Sequence, residues 1–228
     1  MKFLYYREMG NERSFREIIH TDIKRIFDGE EQWRLVIMEE ATSKREHILN
    51  AGLNLFAERG FDATTIPMIA TKAEVGAGTI YRYFINKENL VNELFQQYVE
   101  TCINILHEHY PETNSSPREQ FRHIFNGMVR FTNEHEHALY FIKTHNHSHV
   151  LNETSRERFE EMLNFIRSFF EKGKEQGIIR DLPANALIAI VLGAFLELHK
   201  LVREGDVDPN AKLFEGVEES CWDAIRAH

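Results

Sequence analysis

Proline and glycine are scarce in this chain: five and twelve in 228 residues. Both interrupt helices, and few interruptions among alternating charged and apolar stretches exclude a turn-rich β architecture and favour an all-helical one. Cysteine is scarcer still. Cys102 and Cys221 lie far apart, match no metal or redox spacing, and fit a reducing, cytoplasmic setting. The N-terminus has no compact apolar segment followed by a cleavage site, so no signal peptide is expected. The longest apolar run, Ala184 to Leu196, ends at Glu197 and is too short to cross a bilayer, so no membrane partner is expected. Positive charge is also lacking. The net charge is −9, which argues against a protein that binds nucleic acid over its whole surface. No nucleophile–base set, phosphate loop or zinc-protease motif appears, so no enzyme and no cofactor is expected.

The charge that is present is unevenly placed. Residues 1–40 sum to −2, residues 41–90 to +1 and residues 91–228 to −8. An acidic body repels a polyanion and leaves contact to the one near-neutral segment that carries placed basic groups.

That segment is dense in signals. Ser43-x-x-Glu46 reads as a capping box opening a helix whose inward stripe is Ile48, Ala51, Leu55 and Phe56. Gly60 stands where a left-handed C-terminal residue is needed. Thr65 caps a second helix, with Pro67 in its first turn and Ile69 and Ala70 inward. Ala73-Glu74-Val75 is a tight turn, and Gly76 opens a third helix to about Tyr83. Asn86 caps a long fourth helix from Lys87 to about Glu108. The two short helices and their fixed turn have the proportions of a helix-turn-helix, in which one helix braces another whose N-terminal end meets base edges. Gly76-Ala77-Gly78 permits close backbone approach. Thr79, Tyr81 and Tyr83 offer hydroxyls to phosphates, Arg82 reaches a phosphate or a guanine, and Lys87 adds charge to a helix N-terminus that already favours an anion.

Beyond Pro111, helical patterns begin at Ser116-Pro117, cover Glu136 to about Asn146, and run from about Glu153 to Gln176, stopping at Gly177. Two more cover Ala184 to about Glu204 and the stretch from Pro209 to about Arg226. Phe121, Phe125, Met128, Phe141, Phe165 and Phe169 are candidates to line a ligand cavity, although residues at this spacing also serve as plain core. Residues 1–40 hold a helical pattern from Phe15 to Phe27, read either as an extra amphipathic helix or as an arm ahead of the true start.

Residues 43–90 resemble the DNA-binding domain of the TetR family of bacterial transcriptional regulators. The resemblance is carried by Ile48, Ala51, Phe56, Gly60, Phe61, Thr64-Thr65, Ile69-Ala70, Val75, Gly78-Thr79-Ile80-Tyr81, Tyr83-Phe84 and Lys87-Glu88-x-Leu90. It implies an N-terminal three-helix helix-turn-helix domain, residues 41–86, followed by a larger helical ligand-binding and dimerisation domain, residues 87–228, with residues 1–40 as an extension. It implies a repressor that binds a palindromic double-stranded operator as a homodimer paired through its last two helices. A small apolar or amphipathic effector in the C-terminal domain would release it. By the same resemblance Thr65, Thr79, Tyr81, Tyr83 and Lys87 hold phosphates, while Ala77, Gly78 and Arg82 lie on the face that meets bases. Departures are Glu74 in place of the usual turn glycine, Gly76 in place of a serine cap, Pro67 where a base-reading arginine is common, and Ala77 in place of a longer polar side chain. They point to recognition through thymine methyl groups and DNA shape.

One cluster stands outside this pattern. His135, His137, His145, His147 and His149 fall within fifteen residues. The alternative reading they support is a metal-sensing repressor or, less readily, a metal-dependent enzyme. Alternate residues on a helix point apart, and no cysteine joins them, so no metal site is expected.

Overall fold

A computed structural model describes residues 30–111 and 115–228, with side chains from Ser43 onward. The pattern from Phe15 to Phe27 lies outside the described residues. Among these residues the chain forms nine helices and no strand: α1 Glu30–Arg59, α2 Ile66–Lys72, α3 Ala77–Ile80, α4 Lys87–His107, α5 Pro117–Glu134, α6 Ala138–His145, α7 Glu153–Glu175, α8 Ala184–Glu204 and α9 Ala211–Ile225.

The boundaries follow from local chemistry. Gly60 ends α1 at φ +75°, a conformation that glycine adopts without a Cβ clash. Thr65 caps α2 by accepting from the Met68 N–H. Asn86 caps α4, its side chain accepting from the Asn89 N–H at 2.7 Å, while Asn89 Oδ1 accepts from the Ile85 N–H at 3.3 Å. Ser116 and Glu119 form a reciprocal capping box at α5. One expected boundary is corrected. Ser43 does not open a helix; α1 begins at Glu30 and passes through Ser43 unbroken. Nothing between Glu30 and Ala51 is proline or glycine, so no residue there obliges the helix to stop.

α1 to α3 form a small head. Ile48, Phe56, Ile66, Ile69, Ile80 and Phe84 make its core, and Phe56, Ile69 and Ile80 are fully enclosed. α4 leaves this head and enters the body, where it packs on α5 and α7; α8 lies against α7 and α9. Head and body are held closely. A Cβ on Gly52 of α1 would stand 2.9 Å from Leu90 Cδ2 and 3.3 Å from Leu94 Cδ1 of α4, so glycine lets the two helices approach at this level. Arg45 of α1 pairs with Glu93 of α4. Phe56 meets Phe141 of α6 with ring centroids 6.2 Å apart, so one aromatic side chain belongs to the cores of both parts. After α7 the chain turns at Gly177 and receives the C-terminus, with Arg180 N–H donating to Ile225 O and Ala227 N–H to Ile178 O.

α8 extends beyond the apolar run seen in the sequence. Within its 21 residues an 18-residue stretch has a mean hydropathy of 1.7, enough by length and composition to cross a membrane, and 22% of that stretch is buried within the chain.

Candidate nucleic-acid interface and effector cavity

The head presents one face of α3 to solvent. Ala77, Gly78, Tyr81 and Arg82 are exposed, Tyr81 by 57%, whereas Ile80 and Phe84 point into the core. The helix expected to reach about Tyr83 ends at Ile80; Ala77 and Gly78 open α3, and Tyr81 and Arg82 lie in the turn that follows it, with Arg82 N–H donating to Thr79 O. Nothing lies within 4 Å of a Cβ built on Gly78, which leaves that end of α3 open to close approach. Thr65 is exposed at the start of α2, and Thr79 and Tyr83 are half-buried beside the core. Pro67 is exposed on α2, on a surface with no charged side chain of its own until Lys72. The turn has the geometry that usually calls for glycine: Glu74 sits at φ +55°. A side chain there is held against a local cost of about 1 kcal/mol.

Lys87 is differently engaged. Its Nζ donates to the carbonyls of Phe61 and Thr64, each at 2.8 Å, and lies 3.9 Å from the centre of the Phe61 ring. Two of its three donors therefore pin the α1–α2 connection to the start of α4. Thr64 reinforces that connection from inside, donating to Gly60 O at 2.8 Å.

A network that pattern-reading passed over begins one turn further along α4. Asn92 is buried. Its amide donates to Glu88 O and to Val150 O, each at 2.8 Å. Its carbonyl oxygen accepts from Asn152 N–H at 2.8 Å and from Ser155 Oγ at 2.7 Å. Gln96 adds a donor to Ser155 Oγ at 2.9 Å. Every hydrogen-bonding position of the Asn92 amide is filled; one partner is Glu88 O of α4 itself, and the other three belong to the connection before α7 and to its first turn. The available signal was an asparagine between Val91 and Leu94 on an otherwise apolar face.

The body contains an apolar cavity of about 110 Å³ between α4, α5, α6, α7 and α8. Of the six candidates, Phe121, Met128 and Phe169 line it, together with Cys102, Leu106, Phe131, Phe159 and Met162. The other three lie elsewhere, because helical spacing says which face is inward but not which neighbour it meets. Phe125 packs edge-on against Phe195 at 5.4 Å. Phe141 fills the joint between Phe56 and Phe95. Phe165 packs on Tyr110 at 5.0 Å and borders a separate, more polar cleft with His107 and Lys172. Burial pushes the Cys102 thiol up to about 12, so it meets the cavity as a neutral group.

The histidines do not converge. His145 is buried against Phe56 and Phe141, its Nδ1 bonded to Phe141 O at 2.9 Å and its Nε2 without a partner among the described residues. Burial holds its pKa below the ordinary histidine value. His135 packs on Tyr98 and Phe131, and His147 and His149 are exposed. Among the described residues no three of histidine, cysteine, aspartate and glutamate are grouped to hold a metal.

Two family models match the chain. Residues 48–94 match the family model for bacterial regulatory proteins, tetR family, and residues 95–227 match that for the Tetracyclin repressor-like C-terminal domain. An uncharacterized HTH-type transcriptional regulator of Haemophilus influenzae is 25% identical over 190 residues, spanning 81% of this chain and 97% of that protein. The HTH-type transcriptional repressor KstR2 of Mycolicibacterium smegmatis is 31% identical over 100 residues, 43% of this chain and 47% of that protein. Among solved structures, a regulator from Marinobacter aquaeolei VT8 superposes with a TM-score of 0.72 at 22% identity, covering 84% of this chain and all, 100%, of the other. The ketosteroid transcriptional regulator KstR2 of Mycobacterium tuberculosis superposes with a TM-score of 0.67 at 19% identity, covering 81% and 95%. At these identities the structural likeness is one of fold.

Proposed function

The chain belongs to the TetR family of bacterial transcriptional regulators, a family of ligand-responsive DNA-binding proteins, and from that premise we propose a dimeric repressor released from its operator by a small molecule in the body cavity. The observation that carries the DNA-binding half is the exposed face of α3 and the turn after it, where Ala77, Gly78, Tyr81 and Arg82 stand together. Thr65, Thr79 and Tyr83 border it at positions suited to phosphates, and Arg82 is the side chain long enough to choose a base. Lys87 is assigned two tasks: its side chain braces the head, and its remaining donor and the α4 N-terminus attract a phosphate.

The proposed dimer rests on α8. A long apolar helix with Ile190, Gly193 and Ala194 left exposed by its own chain has a face to cover, and a second copy of α8 and α9 would supply one of equal shape. Two-fold pairing would set two copies of α3 about one DNA turn apart, on a palindrome. The sign of regulation is taken from the relatives described as repressors, KstR2 among them. Release would pass through α4, since its far end lines the cavity and its near end carries the Asn92 network and Lys87. Residues 41–86 then act as reader and residues 87–228 as receiver and dimer, joined by the unbroken α1 and by α4.

The test is selection of bound fragments from the organism's own DNA, followed by footprinting. The proposal expects a two-fold symmetric footprint, lost in Tyr81→Ala and Arg82→Ala proteins that still fold. Enrichment no better than random fragments would overturn it.

A further inference from the structure

We infer that the effector is an amphiphile with a single anionic head group, seated by Lys143 and Asn146 at the α6 side of the cavity; this rests on the reading of that cavity as the effector site. The lining is apolar apart from these two side chains, and it contains no carboxylate. They lie three residues apart at the C-terminal end of α6, so the polar capacity of the cavity is confined to one edge and the remainder offers only dispersion and burial. A wholly apolar ligand would leave that edge unused. A cationic head would meet Lys143 with no acid in the lining to offset it. An anion there gains a charge-assisted hydrogen bond from the ammonium and a neutral one from the Asn146 amide.

Lys143 is placed to act this way. Its side chain belongs to the lining and is exposed, and its Nζ stands 5.8 Å from the centre of the Tyr140 ring. Among the described residues no carboxylate forms an ion pair with it. The volume sets a further condition. An apolar cavity of about 150 Å³ accepts a benzene ring, and this one is about 110 Å³. A longer apolar tail therefore enters only as the surrounding helices part, which links tail length to the movement of α4 and α7.

Calorimetric titration of the full chain with octanoate, octyl phosphate, octanol and octylammonium tests this. Both anions are expected to bind about tenfold more tightly than octanol, with octylammonium weakest; the stronger of the two anions identifies a carboxylate or a phosphate head. Lys143→Met should bring the anions to the level of octanol and leave octanol itself unchanged, while Lys143→Arg keeps the preference. Equal binding of octanol and octanoate, a preference that survives Lys143→Met, or failure of all four to bind would overturn the head-group assignment. The effector reading fails separately: octanoate that binds with the expected selectivity yet leaves affinity for a selected operator unchanged would refute release while keeping the site.

Discussion

The two ends of α4 are built on opposite principles. Its first turns are fixed by directed bonds: the Asn86 cap, the two carbonyls held by Lys87, and the four partners of Asn92. Its last turns meet the body mainly through apolar packing, with Cys102 and Leu106 facing a cavity and with His123 Nε2 at 3.1 Å from Leu106 O as the directed contact there. Hydrogen bonds weaken steeply with angle and distance, whereas apolar contacts re-form in a shifted arrangement at little cost. One helix therefore has a registered end beside the DNA-facing head and a yielding end beside the ligand. On the proposed reading, a movement started at the cavity would reach the head as displacement of a rigid piece.

The comparison is broken most severely by Asn92→Leu. The change leaves Val150 O, Asn152 N–H and Ser155 Oγ without their partner, and we expect a loss of about 3 kcal/mol in urea unfolding, with ligand binding uncoupled from DNA binding. A variant of unchanged stability that still answers to ligand would show that the network does not register α4. Next in size is Lys87→Met, which removes two charged hydrogen bonds and should cost about 2 kcal/mol. The same protein separates the two tasks of Lys87: a salt dependence of DNA binding shallower by about one charge assigns it a phosphate, and an unchanged slope leaves it as a brace alone. At the yielding end, Leu106→Met should cost less than about 1.5 kcal/mol, because volume is kept and no direction is lost. A cost equal to that of Asn92→Leu would erase the contrast. The smallest effect is expected in the turn. Glu74→Gly relieves a left-handed side chain and should raise stability by about 0.5–1 kcal/mol in the same unfolding measurement, with operator affinity unchanged.

Much of this could be read before any coordinates, for identifiable reasons. Thr65, Gly60, Asn86 and Gly177 mark helix ends because each answers a local need of the backbone that no distant residue alters. Ala77, Gly78, Tyr81 and Arg82 are exposed on α3 and the turn after it, although the helix itself stops at Ile80. Ser43-x-x-Glu46 misled because the same spacing occurs inside a helix, and α1 continues through it from Glu30. Phe125, Phe141 and Phe165 share the periodicity of Phe121, Met128 and Phe169, and only the packing of neighbouring helices separates core from lining. Asn92 and Lys143 escaped for the converse reason. Each is one polar residue in a helical pattern, and its meaning lies in what the fold brings opposite it.

The central claim is that the cavity moves the reader through α4 in a two-fold dimer. A spin label on Ala77→Cys reports it directly, since Cys102 and Cys221 are buried and leave the new thiol as the reactive one. Pulsed dipolar spectroscopy should give one distance near a DNA helical turn, about 35 Å plus the label arms. Saturating octanoate should shift that distance by about 2 Å or more in the wild-type background and leave it unmoved with Asn92→Leu added. No distance between two copies, or a distance indifferent to a ligand shown to bind, would contradict the account.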